Sequence, residues 1–179
     1  MAKSKRTKRF YKKGRWSANI QELNNQSLSA ASGNWSGTTT LATNPSQSTL
    51  GVSQTYTVKN VEVNFTLEGH TGDISQNVEA VTAYIMYVPQ GMNVSESYHL
   101  EHPEYILTYK YLGSPSLEYT PQTGTPVTQN YQPFKIRTRL ARRLQTGDSI
   151  ILYIKGYNVG STSVTLNISG VIRWWTKAN

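Results

Sequence analysis

Residues 61–68 read Val61-Glu62-Val63-Asn64-Phe65-Thr66-Leu67-Glu68. Apolar and polar side chains alternate without a break, which is the period-two signature of a strand with one buried face and one wet face. Just upstream, Tyr56 and Val58 keep their apolar residues in the opposite phase. The switch predicts a β-bulge, or a junction of two short strands, at Lys59-Asn60. Downstream, 78–88 is apolar on both parities, with Val81, Ala83, Ile85 and Tyr87 against Tyr84, Met86 and Val88. That pattern predicts a central strand covered on both faces and ended by Pro89. Further strands are predicted over 105–112, 134–140, 149–157 and 164–175, the last with Val164, Leu166, Ile168, Ile172 and Trp174 on one face. One helical turn is expected within 95–102, closed by Pro103. Many strands, irregular loops and no long helix predict an all-β sandwich or barrel.

Composition agrees with this reading. Charged residues are only 16% of the 179, and 21 Thr, 18 Ser, 13 Asn and 10 Gln fill the difference. These short hydroxyl and amide side chains favour strands and turns over helices. The absence of cysteine excludes disulfides, thiolate metal sites and cysteine nucleophiles. The first 30 residues hold no apolar leader segment, and no stretch approaches the ~18 apolar residues of a membrane-spanning helix. The chain is therefore expected to be neither secreted by a standard signal nor membrane-inserted.

The charge is concentrated at one end. Lys3, Lys5, Arg6, Lys8, Arg9, Lys12, Lys13 and Arg15 give residues 1–15 a charge of +8 with no acid, and residues 16–179 balance ten basic against ten acidic groups. A segment so charged repels itself and cannot bury a core, so residues 1–16 are expected to be a disordered basic arm that orders on a polyanion. Nucleic acid is the favoured partner, and nuclear import uses the same residue types. Phe10, Tyr11 and Trp16 interleave the charges and suit stacking on unpaired bases. No finger, zipper or recognition helix is present to read base identity. Residues 17–54, dominated by Ser, Thr, Asn, Gln and Gly, are read as a polar arm or linker with a possible edge strand near 38–43, and residues 55–179 as the folded domain. Residues 113–131, rich in Gly, Pro and Thr, are read as an excursion between strands.

A second basic feature lies in the body. Phe134, Ile136, Thr138 and Leu140 are expected on one face of a strand and Lys135, Arg137 and Arg139 on the other, followed at once by Arg142 and Arg143. Three cations spaced two apart with no acid beside them are read as a second nucleic-acid surface, and the alternative is an edge strand protected by charge. His99 and His102, near Glu101 and Glu104, have the spacing of a helical metal site but lack a second ligand pair, and the scattered carboxylates make no acid–base pair. No nucleotide-binding or hydrolase motif occurs. Neither an enzymatic activity nor a cofactor or metal is expected.

Several stretches carry a resemblance. The basic arm, His102-Pro103-Glu104-Tyr105 leading into a strand, Arg139-Leu140-Ala141-Arg142-Arg143-Leu144 running to Gly147-Asp148-Ser149-Ile150, and the ending Val171-Ile172-Arg173-Trp174-Trp175-Thr176 resemble capsid proteins of small circular single-stranded DNA viruses, the circovirus-like group. The resemblance implies a single eight-stranded antiparallel jelly roll and a closed icosahedral shell of about 60 identical copies. It also implies a basic arm facing a single-stranded DNA genome, a host nuclear-import receptor and a cell-surface receptor as partners, and residence in the virion and the host nucleus. The coat of a small plant satellite virus, enclosing RNA, shares that architecture. A non-viral single-strand-binding β-barrel with a cationic tail is the rival class, and a jelly-roll lectin or hydrolase a further one. Tyr98, Tyr119, Tyr131 and the pair Trp174-Trp175 are candidate interface anchors, with core burial the favoured reading for the tryptophans.

Overall fold

The structure, a computed structural model, describes residues 15–44, 55–71, 78–114, 116–119 and 132–178. Its elements are β1 (Ser17–Ala30), β2 (Gly33–Thr43), β3 (Tyr56–Thr71), β4 (Val78–Val88), α1 (Tyr98–Glu101), a 3-10 turn (Pro103–Tyr105), β5 (Ile106–Gly113), β6 (Ser116–Tyr119), β7 (Phe134–Arg137), β8 (Arg142–Leu144), β9 (Ser149–Asn158) and β10 (Val164–Ala178). They form two sheets. In the first, β1, β10 and β3 are neighbours in that order, and β6, β7 and β8 pair in turn along the free edge of β3. In the second the order is β2-β9-β4-β5. Every pairing is antiparallel except β3 with β6.

The two inner faces share one core. From the first sheet it takes Leu23, Leu28, Val58, Val61, Val63, Phe65, Leu67, Ile136, Leu166, Ile168 and Ile172, and from the second Trp35, Leu41, Val81, Ala83, Ile85, Ile150, Leu152 and Ile154. Val61, Val63, Phe65 and Leu67 all point into it, as their alternation requires. The expected bulge is present: the β3–β10 register slips between Arg173 and Trp175, opposite Asn60, which takes a left-handed φ of 52°. Gly170 is required where these strands touch, because a Cβ there would lie 2.1 Å from the Asn64 carbonyl oxygen.

β4 is covered on both faces, as predicted. Its outer side, with Met86 and Val88, joins Ile151, Tyr153 and Tyr98 in a second apolar cluster roofed by Met92, Val94, Tyr105 and Ile106. The helical turn within 95–102 forms as α1 and seats Tyr98 in this cluster at 1% exposure. Tyr98 is therefore a core residue rather than an exposed interface anchor. Trp174 also packs against the main core.

Three expectations are corrected. Residues 17–44 are not a linker: β1 and β2 run 14 and 11 residues and bury Leu23, Leu28, Ala30, Trp35, Leu41 and Ala42. Their pattern is hidden because β1 slips register between Leu23 and Gln26, with Asn25 at φ 48°, so its inward leucines fall five apart instead of two. Ten strands occur among the described residues rather than eight, since three short segments share the edge of β3. Finally, β7 stops at Arg137. The Thr138 amide donates to the Val61 carbonyl (2.9 Å), its hydroxyl donates to the Leu107 carbonyl (3.3 Å), and the Leu140 amide donates to that hydroxyl (3.1 Å). The chain turns there, and Leu140 ends up 56% exposed instead of inward. Tyr119 and Tyr131 as anchors, and most of the 113–131 excursion, lie outside the residues whose side chains are described.

Candidate nucleic-acid interface

Pairing brings outward residues of distant segments into rows across the first sheet. One row is Lys177–Thr57–Arg143, the next Ala18–Trp175–Lys59, then Ile20–Arg173–Glu62–Arg137, then Glu22–Val171–Asn64–Lys135. Successive rows are about 6.6 Å apart along the strands, and neighbours within a row about 4.8 Å. Six of the ten cations in residues 16–179 therefore share one outer face: Lys59, Lys135, Arg137, Arg143, Arg173 and Lys177. Farther along, the rows turn polar and acidic, with Ser169–Thr66 and Ser27–Asn167–Glu68. The cationic end is where the chain enters, at exposed Arg15 and Trp16.

The five body cations expected to act together do not all do so. Lys135 and Arg137 lie on the face as predicted, but not free of acid: Glu62 sits between them, 3.1 Å from Lys135 Nζ and 3.8 Å from Arg137 Nε. The Asn64 amide, which donates to Glu62 at 3.2 Å, and then Lys135 hold this carboxyl below the usual carboxylate range, so it is charged at neutral pH. Arg143 is outward and donates to the Thr55 hydroxyl (3.1 Å). Arg139 is exposed in the loop after β7. Arg142 departs: its guanidinium lies 4.2 Å from the centre of the Tyr87 ring and 6.0 Å from that of Tyr105, at the seam with the second sheet. Lys3, Lys5, Arg6, Lys8, Arg9, Lys12 and Lys13 lie outside the described residues, whereas Arg15 lies within them.

The sequence reading missed Lys59, Arg173 and Lys177. Each occupies an outward parity on β3 or β10, so alternation marks it as wet, but only the pairing of strands far apart in sequence makes the patch.

The run from Arg139 to Ile150 has a structural role. Buried Asp148 accepts from the Tyr87 hydroxyl (2.7 Å) and from the amides of Gln90 (3.0 Å) and Gln145 (2.7 Å), closing the β8–β9 turn in which Gly147 has φ 85°. Burial and this carboxylate push the Tyr87 phenol up to about 12. The two histidines take separate surroundings. His102 stacks on Tyr105 and pairs with Glu104 at 3.3 Å. His99 is buried against Tyr84 and Tyr153, its Nε2 accepting from Lys155 Nζ at 3.2 Å and its Nδ1 lying 3.4 Å from the Tyr153 hydroxyl. Burial, then the Lys155 charge, hold its imidazole below the ordinary value. Among the described residues no three His, Asp or Glu side chains are grouped to hold a metal.

No protein-family model and no curated protein matches the chain. Among solved structures, the VP2 subviral particle of infectious bursal disease virus is similar over 90% of this chain and 33% of that one, at 10% identity and a TM-score of 0.39. A virus-like particle of human norovirus (GI.7 Houston strain) is similar over 87% of this chain and 30% of that one, at 12% identity and a TM-score of 0.32. Latent PorU from Porphyromonas gingivalis is similar over 92% and 13%, at 10% identity and a TM-score of 0.23. The chain thus spans about a third of the length of the two viral capsid proteins, and all three scores lie below 0.5.

Proposed function

We propose that this chain is the coat subunit of a small icosahedral shell that packages single-stranded DNA, a structural role without a catalytic step. One observation carries the nucleic-acid half of this reading. The described chain begins at exposed Arg15, two residues before β1, at the end of the first sheet whose outer face holds six cations, which supports reading arm and face as one nucleic-acid surface. The seven cations of residues 3–13 are tethered within about 40 Å of that point by chain length alone. Binding of such a surface to phosphates is driven by counterion release.

The shell-forming half rests on the neutral, Ser- and Thr-rich body, on the strand order and on the resemblance to circovirus-like capsid proteins. The order β1-β10-β3 with β7 and β8, opposite β2-β9-β4-β5, supports reading the sandwich as a jelly roll in which β7 and β8 together supply one strand. In assembly the arm and face neutralise genome phosphates, which lowers repulsion enough for polar subunit contacts to close the shell. Import of the subunit into the host nucleus through the arm, and a cell-surface receptor for the assembled virion, belong to the same reading. RNA as cargo, in a satellite-virus type of shell, is the nearest variant.

Deletion of residues 1–15 tests it. The full chain is expected to co-purify with nuclease-protected nucleic acid and, once stripped, to bind single strands with a log–log salt slope of roughly −5 to −6 from the arm alone, at about −0.7 per charge. The deletion variant should fold, keep a weaker binding with a shallower slope, and protect no nucleic acid. Equal protection with and without the arm would overturn the proposal.

A further inference from the structure

The middle of the cationic face is aromatic. Between the row Lys177–Thr57–Arg143 and the row Ile20–Arg173–Glu62–Arg137 lies Ala18–Trp175–Lys59. Lys59 is on β3 and Trp16 leads into β1, with β10 between them. Even so, Lys59 Nζ lies 3.8 Å from the centre of the Trp16 ring. With strands about 4.8 Å apart, that contact has to cross the outer surface of β10, where Trp175 projects. Two indoles thus occupy one short stretch of the face, Trp16 38% exposed and Trp175 half-buried. Ala18, beside Trp175 on β1, offers only a methyl group and leaves that flank of the indole low.

We propose that Trp16 and Trp175 form a stacking site for unpaired nucleobases, with Lys59, Arg143, Arg173 and Lys177 taking the flanking phosphates. The proposal rests on the reading of this face as a nucleic-acid surface and adds the strandedness of its ligand. A base in a duplex has both π-faces occupied by its neighbours, whereas an unpaired base has them available to an indole. The Lys59 ammonium covers one face of the Trp16 ring, a contact worth little at an exposed site and readily exchanged for a base while Lys59 moves to a phosphate. Stacking accepts every base, which agrees with the lack of any element for base readout. The selectivity it gives is for single strands over duplexes.

The test uses the full chain freed of bound nucleic acid, a fluorescein-labelled oligothymidylate and a duplex of equal length, with anisotropy read at several salt concentrations. The oligothymidylate should bind more tightly and quench tryptophan emission. Trp16→Ala should lose about tenfold for the single strand, keep the same salt slope, and leave duplex affinity unchanged. Trp16→Phe should restore most of the loss. Lys59→Ala should instead flatten the single-strand slope by about 0.7. Trp16 precedes β1 and is exposed, so its replacement should not alter the melting temperature, and Trp175→Ala, checked by the same melt, is the second variant. If both tryptophan variants match the wild type on oligothymidylate, or lose equally on duplex, the stacking site is wrong and the packaging surface stands. If the wild-type chain binds neither nucleic acid, both fall together.

Discussion

The two sheets share a core but treat their outer faces in opposite ways. On the second sheet, Met86, Val88, Ile151 and Tyr153 face outward and are roofed by the segment from Pro89 to Tyr105, which seats Tyr98, Met92 and Val94 over them. On the first sheet the outer face carries six cations, and Ile20, paired with Arg173, is 65% exposed. A roofed apolar face contributes stability, and a bare cationic one contributes almost none. The roof covers Met86, Val88, Ile151 and Tyr153, while Tyr109, Tyr111 and Tyr157 of the same sheet stay exposed.

The sharpest way to break this comparison is to truncate one side chain on each face. Tyr98→Ala should cost about 3–5 kcal/mol, the range for removing a buried aromatic, and should raise binding of a hydrophobic dye as the roof lifts. Ile20→Ala should stay within about 0.5 kcal/mol. Chemical denaturation of both variants checks the pair, and equal losses would mean that the faces are not the different objects described.

A smaller effect separates the faces by pH. His99 lies under the roof against Lys155, Tyr84 and Tyr153, with no carboxylate among its ring and hydrogen-bond contacts. Its imidazole is held below the ordinary 6.5, by burial first and Lys155 second. As pH falls through 6.5 the unfolded chain takes up a proton that the folded chain resists. Stability is therefore full above that value and declines toward the lowered folded value. The melting temperature should drop between about pH 7.5 and 5, and His99→Gln should remove part of that drop. Identical pH profiles for the two proteins would contradict the assignment. Binding to the bare face should show no matching step, because His99 lies over the other sheet, against Tyr84 and Tyr153.

The smallest effect sharpens the electrostatics of the bare face. Glu62 is its central acid, paired with Lys135 and Arg137. Glu62→Gln should change stability by less than about 1 kcal/mol, since ion pairs near the surface are weak. It should also tighten single-strand binding and steepen the salt slope by about 0.7, as Lys135 and Arg137 become free for phosphate. Weaker binding would mean that Glu62 positions the cations rather than competing with the ligand.

What the sequence revealed and what it hid follow the same division. Strands with a dry, regularly spaced inner face were legible: β3, β4, β9 and β10 lie close to where alternation places them, and so does the bulge at Asn60. β1 escaped because its bulge at Asn25 breaks the spacing of Leu23 and Leu28 and its wet face is nearly all polar, so a strand resembles a linker. In the interface, Lys135 and Arg137 were visible because they alternate within one strand. Glu62, Arg173, Lys177 and Trp175 reach the same patch only through pairing between segments far apart, which carries no local signal. Arg142 was misplaced because adjacency in sequence cannot show that its guanidinium turns to Tyr87.

The central claim is that the subunit closes a shell around nucleic acid. Light scattering on the full chain as it elutes from a size-exclusion column, with absorbance at 260 and 280 nm and microscopy of the leading peak, tests it most directly. The account predicts uniform particles with a mass on the order of 1 MDa, as about 60 copies of a 20.1 kDa chain require, and a 260 nm excess that nuclease does not remove. A 20.1 kDa monomer at every salt concentration, free of nucleic acid, would contradict it.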